Sequence, residues 1–137
     1  MSEKKLFLID GHALTYRSHY AFINRPLINS KGINTSAITG FVRTLWDMIS
    51  RQKPSHLAVA FDPSGKTFRH EMYEPYKANR DAQPEDITIA LPYIKSIVEA
   101  FNIPIVCIDN YEADDVIGTL AKQAEKEDFQ VLSLIHI

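Results

Sequence analysis

Five carboxylates stand where apolar runs end, and their placement sets the chemistry this chain could do. Asp10 closes the run Leu6–Ile9, and Asp62 closes the run Leu57–Phe61. Glu112, Asp114 and Asp115 follow the run Ile103–Ile108 and open a helix-like segment. If these runs are neighbouring parallel strands, all the acids reach the carboxyl edge of one sheet, where open α/β folds hold their ligands. Crowded carboxylates repel and raise one another's pKa. A divalent cation relieves that conflict. Mg²⁺ and Mn²⁺ prefer oxygen donors and keep several waters. The pattern points to metal-dependent phosphoryl transfer.

Each acid also has a plainer explanation. Asp10-Gly11 is a common turn pair, and Asp62-Pro63 can initiate a turn. Acid at a helix N-terminus is favourable, which accounts for one or two of Glu112, Asp114 and Asp115. It accounts less well for three acids in four residues beside two further strand-end Asp. Residues 112 and 115 share a helix face, whereas Asp114 is turned away, at about 100° per position. Such a cluster could serve two neighbouring ions, or one ion and its water shell.

A second segment carries the opposite charge. Residues 68–80 interleave Arg69, His70, Lys77 and Arg80 with Phe68, Tyr73 and Tyr76. Pro75 can start a short helix, which places Tyr76 and Lys77 near Arg80 on one face. Lys and Arg hold phosphates, and Tyr stacks on bases. Glu71, Glu74 and Asp81 dilute the charge, and a solvated loop is the plainer account. Its position directly after Asp62 favours a functional segment, since long polar loops beside a site are seldom filler. Other chemistries find no support. The His residues form no triad or zinc spacing, and Ser18, Ser64 and Ser133 lack a nucleophile-elbow context. The glycines form no phosphate-binding loop of the known types.

The elements that must position these residues alternate. Lys5–Ile9 reads as a buried strand and Ala13–Phe22 as a helix; residues 24–34 form a loop. A second helix spans Thr35–Arg51, with Ile38, Phe41, Val42, Leu45, Met48 and Ile49 facing the core. Leu57–Phe61 is the second strand. Pro84, Glu85 and Asp86 suit a helix start, and that helix turns Ile87, Leu91, Ile94, Ile97, Val98 and Phe101 inward, with Pro92 bending it. Ile103–Ile108 is the third strand, Ala113–Lys126 the last helix and Val131–Ile137 the fourth strand. Val116, Ile117, Leu120 and Ala124 make one stripe on the last helix. Strand–helix alternation implies a parallel sheet covered on both faces, a three-layer αβα domain.

At 137 residues the chain is long enough for one domain with a real core. A net charge of −2 does not announce nucleic-acid binding, so any such surface must be local. The single cysteine, Cys107, excludes an internal disulfide and is expected to be a small buried hydrophobe. The apolar run after Lys4 and Lys5 is too short for a signal peptide, and no stretch approaches membrane-spanning length. The cytoplasm is the expected location, with no membrane partner.

With these residues in place, the chain resembles the 5′-nuclease family of 5′→3′ exonucleases and flap endonucleases, which includes the N-terminal domains of bacterial DNA polymerases. The resemblance rests on Leu8-Ile9-Asp10-Gly11-His12 with Tyr16-Arg17, on Phe61-Asp62 with Phe68-Arg69-His70-Glu71, and on Tyr76-Lys77-Ala78-Asn79-Arg80. It continues through Pro84-Glu85 and Tyr111-Glu112-Ala113-Asp114-Asp115, and spans about residues 5–131. It implies a PIN-like, resolvase-like fold over residues 1–137, with residues 63–83 as a basic arch that receives the 5′ strand. It implies that Asp10, Asp62, Glu112, Asp114 and Asp115 are metal ligands. Lys77 and Arg80 would be arch cations and, with Asp10, Asp62 and Asp115, catalytic; Arg17, Arg69 and Tyr76 would join them in binding DNA. Two Mg²⁺ or Mn²⁺ ions about 3.5–4 Å apart would hydrolyse phosphodiesters. Substrates would be DNA with 5′ ends, flaps or nicks and RNA primer remnants. The protein would be a bacterial, nucleoid-associated monomer serving replication and repair, joined to a polymerase.

The family's pattern continues beyond strand four with Thr-x-Asp-x-Asp and a helical module that grips duplex DNA. Residues 131–137 hold no carboxylate, and His136 is a poor Mg²⁺ ligand. The expectation is a fold incomplete at its C-terminus, poorly soluble, with one metal position largely kept and the second depleted. Three rivals remain open: a DNA-binding module without catalysis, a PIN-type ribonuclease, and an Asp-nucleophile phosphatase. The last needs an Asp two positions after Asp10, where His12 stands.

Overall fold

The computed structural model describes residues 4–63 and 83–134. Strand β1 spans Lys5–Asp10, and helix α1, Gly11–Ala21, follows without a loop. Helix α2 is Ser36–Gln52, strand β2 is His56–Ala60 and helix α3 is Glu85–Ala100. Strand β3 is Ile105–Val106, helix α4 is Ala113–Lys126 and strand β4 is Gln130–Leu134. The strands form one parallel sheet in the order β3-β2-β1-β4.

Strand alternation sorts the side chains onto two faces. Phe7, Ile9, Val59 and Phe61 enter one core with Leu14, Phe41, Leu45, Ile94 and Val98 of α1, α2 and α3. Leu8 and Ala60 enter the other, against Ala113 and Ile117 of α4, with Leu6, Ala58 and Val131 beside them. Each large side chain sealed in these cores contributes about 1.5–3 kcal/mol through burial. Two cores on one sheet make the expected three-layer αβα domain.

The crossovers explain where a site must lie. From β1 the chain moves outward to β2 and β3, then returns to place β4 on the far side of β1. The strand order therefore reverses at β1, and doubly wound sheets open a crevice at that point, outside the carboxyl ends of the strands.

Several expectations need correction. The third strand is two residues long, not the six of Ile103–Ile108. The chain leaves the sheet after Val106, so Cys107 is exposed rather than buried and Ile108 is about half exposed. Helix α1 begins at Gly11, two residues earlier than Ala13, because Asp10 caps it. Pro84 is the cap of α3 rather than part of its first turn, and the helix runs as one element through Pro92. In α2 and α3 the small Ala37 and Ala90 are fully buried, while Leu91 packs only at the margin. The basic segment and residues 135–137 lie outside the described residues.

Candidate metal and nucleic-acid site

Asp10 and Asp62 reach the same face by parity. Leu6, Leu8 and Asp10 alternate toward α4, and so do Ala58, Ala60 and Asp62. Asp10 pairs with Ala60 across the sheet, so Asp62 stands one alternation further along the neighbouring strand.

Asp10 is almost fully buried, and its Oδ1 accepts from the Ala13 N–H at 3.1 Å, capping α1. Gly11 is required beside it: a Cβ there would lie 2.4 Å from the Phe61 ring. The Asp10 carboxyl is pushed up to about 6. Burial is the largest cause; the Asp62 charge and a hydrogen bond and charge from Asp114 add to it, against the Ala13 N–H, which pulls it down. Two further carboxylates, Asp62 just beyond β2 and Asp114 of α4, therefore act on Asp10 at the end of β1.

Asp62 is held from two sides. Its Oδ1 accepts from the Ala113 N–H at 2.7 Å, at the positive end of α4. Its own N–H donates to His12 Nδ1 at 3.0 Å, and Oδ2 lies 3.8 Å from the same nitrogen. A nitrogen that accepts from an N–H carries no proton of its own, so the 3.8 Å approach is not a charge pair.

The third group of acids divides. Asp114 is the one beside Asp10. Glu112 and Asp115 form a capping box: Glu112 accepts from the Asp115 N–H, and Asp115 Oδ2 accepts from the Glu112 N–H at 3.0 Å. Asp115 also lines a separate groove of about 420 Å³ with Val106, Ile108, Tyr111 and Thr119. The helix-start explanation thus holds for Glu112 and Asp115. Among the described residues no three His, Cys, Asp or Glu side chains stand close enough to hold one ion, so a five-carboxylate cage is not preformed. The donors near Asp10 still suit a hard divalent cation, because Mg²⁺ is commonly held by one or two carboxylates and several waters.

Positive groups stand on α1 and α3. Arg17 is exposed on α1. Lys95 of α3 sits over the Phe61 ring at 5.1 Å. Tyr16 donates to Gln83 Oε1 at 3.3 Å, which ties the far end of the basic segment to α1 while its near end leaves from Asp62 and Pro63. Arg69, Tyr76, Lys77 and Arg80 lie outside the described residues. Sequence reasoning assigned no role to His12 or Lys95. A lone His two positions after an Asp carries no signal of a partner fifty residues away.

Fold and site together define a doubly wound α/β domain with carboxylates gathered at its switch point. The chain belongs to the 5′–3′ exonuclease family: residues 5–134 match that family's N-terminal resolvase-like domain. It is 43% identical over 129 residues to DNA polymerase I of Bacillus subtilis, covering 93% of this chain and 14% of that protein. It is 47% identical over 126 residues to DNA polymerase I of Deinococcus radiodurans, covering 92% of this chain and 13% of that one. Among solved structures, bacteriophage T5 5′-exonuclease with zinc bound matches at TM-score 0.65 and 18% identity, over 95% of this chain and 48% of that one. The bacteriophage T5 flap endonuclease, solved as a pseudo-enzyme–product complex with DNA and metal ions, matches at TM-score 0.65 and 21% identity, again over 95% and 48%. At these identities the structural likeness speaks for the fold alone.

Proposed function

We propose that this chain is the 5′→3′ exonuclease and flap-endonuclease domain of a DNA polymerase I, and that it cleaves phosphodiesters with Mg²⁺ or Mn²⁺. The observation that carries the reading is Asp10, buried at the end of β1 and pressed by Asp62 and Asp114. A carboxyl raised to about 6 by burial first and by neighbouring acids second is a group that a divalent cation would relieve. When bound, the ions supply an activated water and stabilise the leaving oxygen. Asp10, Asp62 and Asp114 would hold them, with Glu112 and Asp115 contributing where the cap permits. Asp62 would be kept in place by the α4 N-terminus and His12. The basic segment, anchored at Asp62 and at Gln83, would bring Lys77 and Arg80 to the scissile phosphate, where positive charge counts most. Arg17, Arg69 and Tyr76 would seat the 5′ strand. Substrates would be 5′ ends, flaps and nicks in DNA, and primer RNA, in bacterial replication and repair; the protein would act as a nucleoid-associated monomer.

One observation favours a second reading. No preformed three-ligand centre stands among the described residues, which a DNA-binding module without catalysis would not need. A labelled 5′-flap duplex separates the two. Cleavage that requires Mn²⁺ or Mg²⁺ and disappears in the Asp10→Asn, Asp62→Asn double variant is the expected result. Binding of the flap without cleavage at any metal concentration assigns the chain to the second reading. Cleavage untouched by the double variant overturns the site.

A further inference from the structure

We propose that His12 is a positioning residue for the metal site: as a neutral acceptor it fixes the backbone, and so the carboxylate, of Asp62. The inference rests on the proposed reading of Asp62 as a ligand.

The geometry allows one assignment of the imidazole. Asp62 N–H points at His12 Nδ1 across 3.0 Å, so Nδ1 is the bare nitrogen and the ring proton is on Nε2. The ring is only partly exposed and stands edge-to-face on Phe61, with centroids 5.6 Å apart. Phe61 is itself sealed in the core and pressed against Gly11. His12 is therefore set by packing before it meets Asp62. It closes a bridge from the first turn of α1 to the end of β2.

That bridge does what the Ala113 N–H cannot. Ala113 holds one carboxylate oxygen and makes no bond to the Asp62 N–H, which is bound by His12. A second anchor on the Asp62 N–H fixes the peptide plane, and with it the direction of the side chain toward Asp10. Groups that orient metal ligands in this way commonly change metal affinity 10–100-fold when removed, as a general rule of about that size.

Two substitutions separate the hydrogen bond from the packing. His12→Phe keeps a ring against Phe61 and removes the acceptor. His12→Asn gives up the ring and offers Oδ1 where Nδ1 stood. Mn²⁺ binding is read by titration calorimetry on the whole chain, and exchange of the Asp62 amide hydrogen is read alongside it. The expected result is that His12→Phe loses about tenfold or more in Mn²⁺ affinity and the amide loses protection. His12→Asn should stay within about threefold of wild type and keep the amide protected. Equal binding by wild type and His12→Phe overturns the inference, as does a loss in His12→Asn as large as in His12→Phe. Failure of wild type itself to bind Mn²⁺ overturns the metal-site reading and this inference with it.

Discussion

Asp10 carries a conflict that the fold builds and a ligand would relieve. Its carboxyl is ordinary at 3.8 when unfolded and about 6 when folded. The folded chain therefore holds this proton more tightly than the unfolded one. Below the lower value both states are protonated and Asp10 costs nothing. As pH rises from there to about 6, the metal-free fold loses stability, and above about 6 the deficit is constant. Two pKa values that far apart correspond to about 3 kcal/mol. Asn at position 10 can still cap α1 but never ionises. Asp10→Asn should thus match wild type near pH 3.5 and be more stable by about 2–3 kcal/mol at pH 7, in urea unfolding without metal. A gap that does not grow with pH would refute the assignment. Saturating Mn²⁺ should narrow the gap by stabilising wild type alone. The acids at 10 and 62 were legible because each closes an apolar run. The division of the third group was not. Sequence spacing told that Asp114 faces differently from Glu112 and Asp115, but not that Asp114 is the one to meet Asp10.

At the scale of elements, the site depends on how closely α1 can approach its neighbours. Helices α1 and α2 cross where Gly40 meets Ser18, and a Cβ on Gly40 would lie 2.6 Å from the Ser18 Cβ and 3.1 Å from its Cα. The nearest atoms include backbone, so the helices must move apart rather than a side chain aside. Gly40→Ala should cost about 1–3 kcal/mol despite its better helix propensity. Thermal unfolding would show it as a lowered Tm; a raised Tm would refute the tight crossing. Long helices with a regular apolar stripe were read closely from the sequence, α4 to the residue. The third strand was not. Ile103–Ile108 is apolar throughout, but only Ile105 and Val106 pair with β2, at the sheet's edge. Apolar content cannot distinguish a strand from an extended edge segment, because pairing depends on a neighbour that composition does not name.

The whole molecule presents a charge problem to a nucleic acid. Its net charge is −2, and its candidate chemistry gathers further acid at one edge. Without cations to screen it, that edge repels phosphates. Affinity must then come from a local positive feature, and the fold provides the attachment for one: the basic segment departs at Asp62 and returns at Gln83, beside Tyr16. The αβα class and the gathering of acids at the carboxyl edge of the sheet were legible because alternating strands and helices permit few arrangements; the strand order that puts the switch point at β1 was not. The tie between α1 and the far end of the basic segment was not legible, since it depends on a contact between residues 16 and 83 that spacing does not reveal. Counterion release gives a direct test. Each phosphate neutralised by Lys or Arg contributes about one to the slope of log affinity against log salt. Lys77→Ala and Arg80→Ala should each weaken flap binding in Ca²⁺ and flatten that slope by about one, and the double variant by about two. Arg43→Ala, on the exposed surface of α2, should change neither. Slopes that stay parallel in all three variants would show that the segment touches no phosphate, and the acidic edge would then lack the cations a polyanion requires.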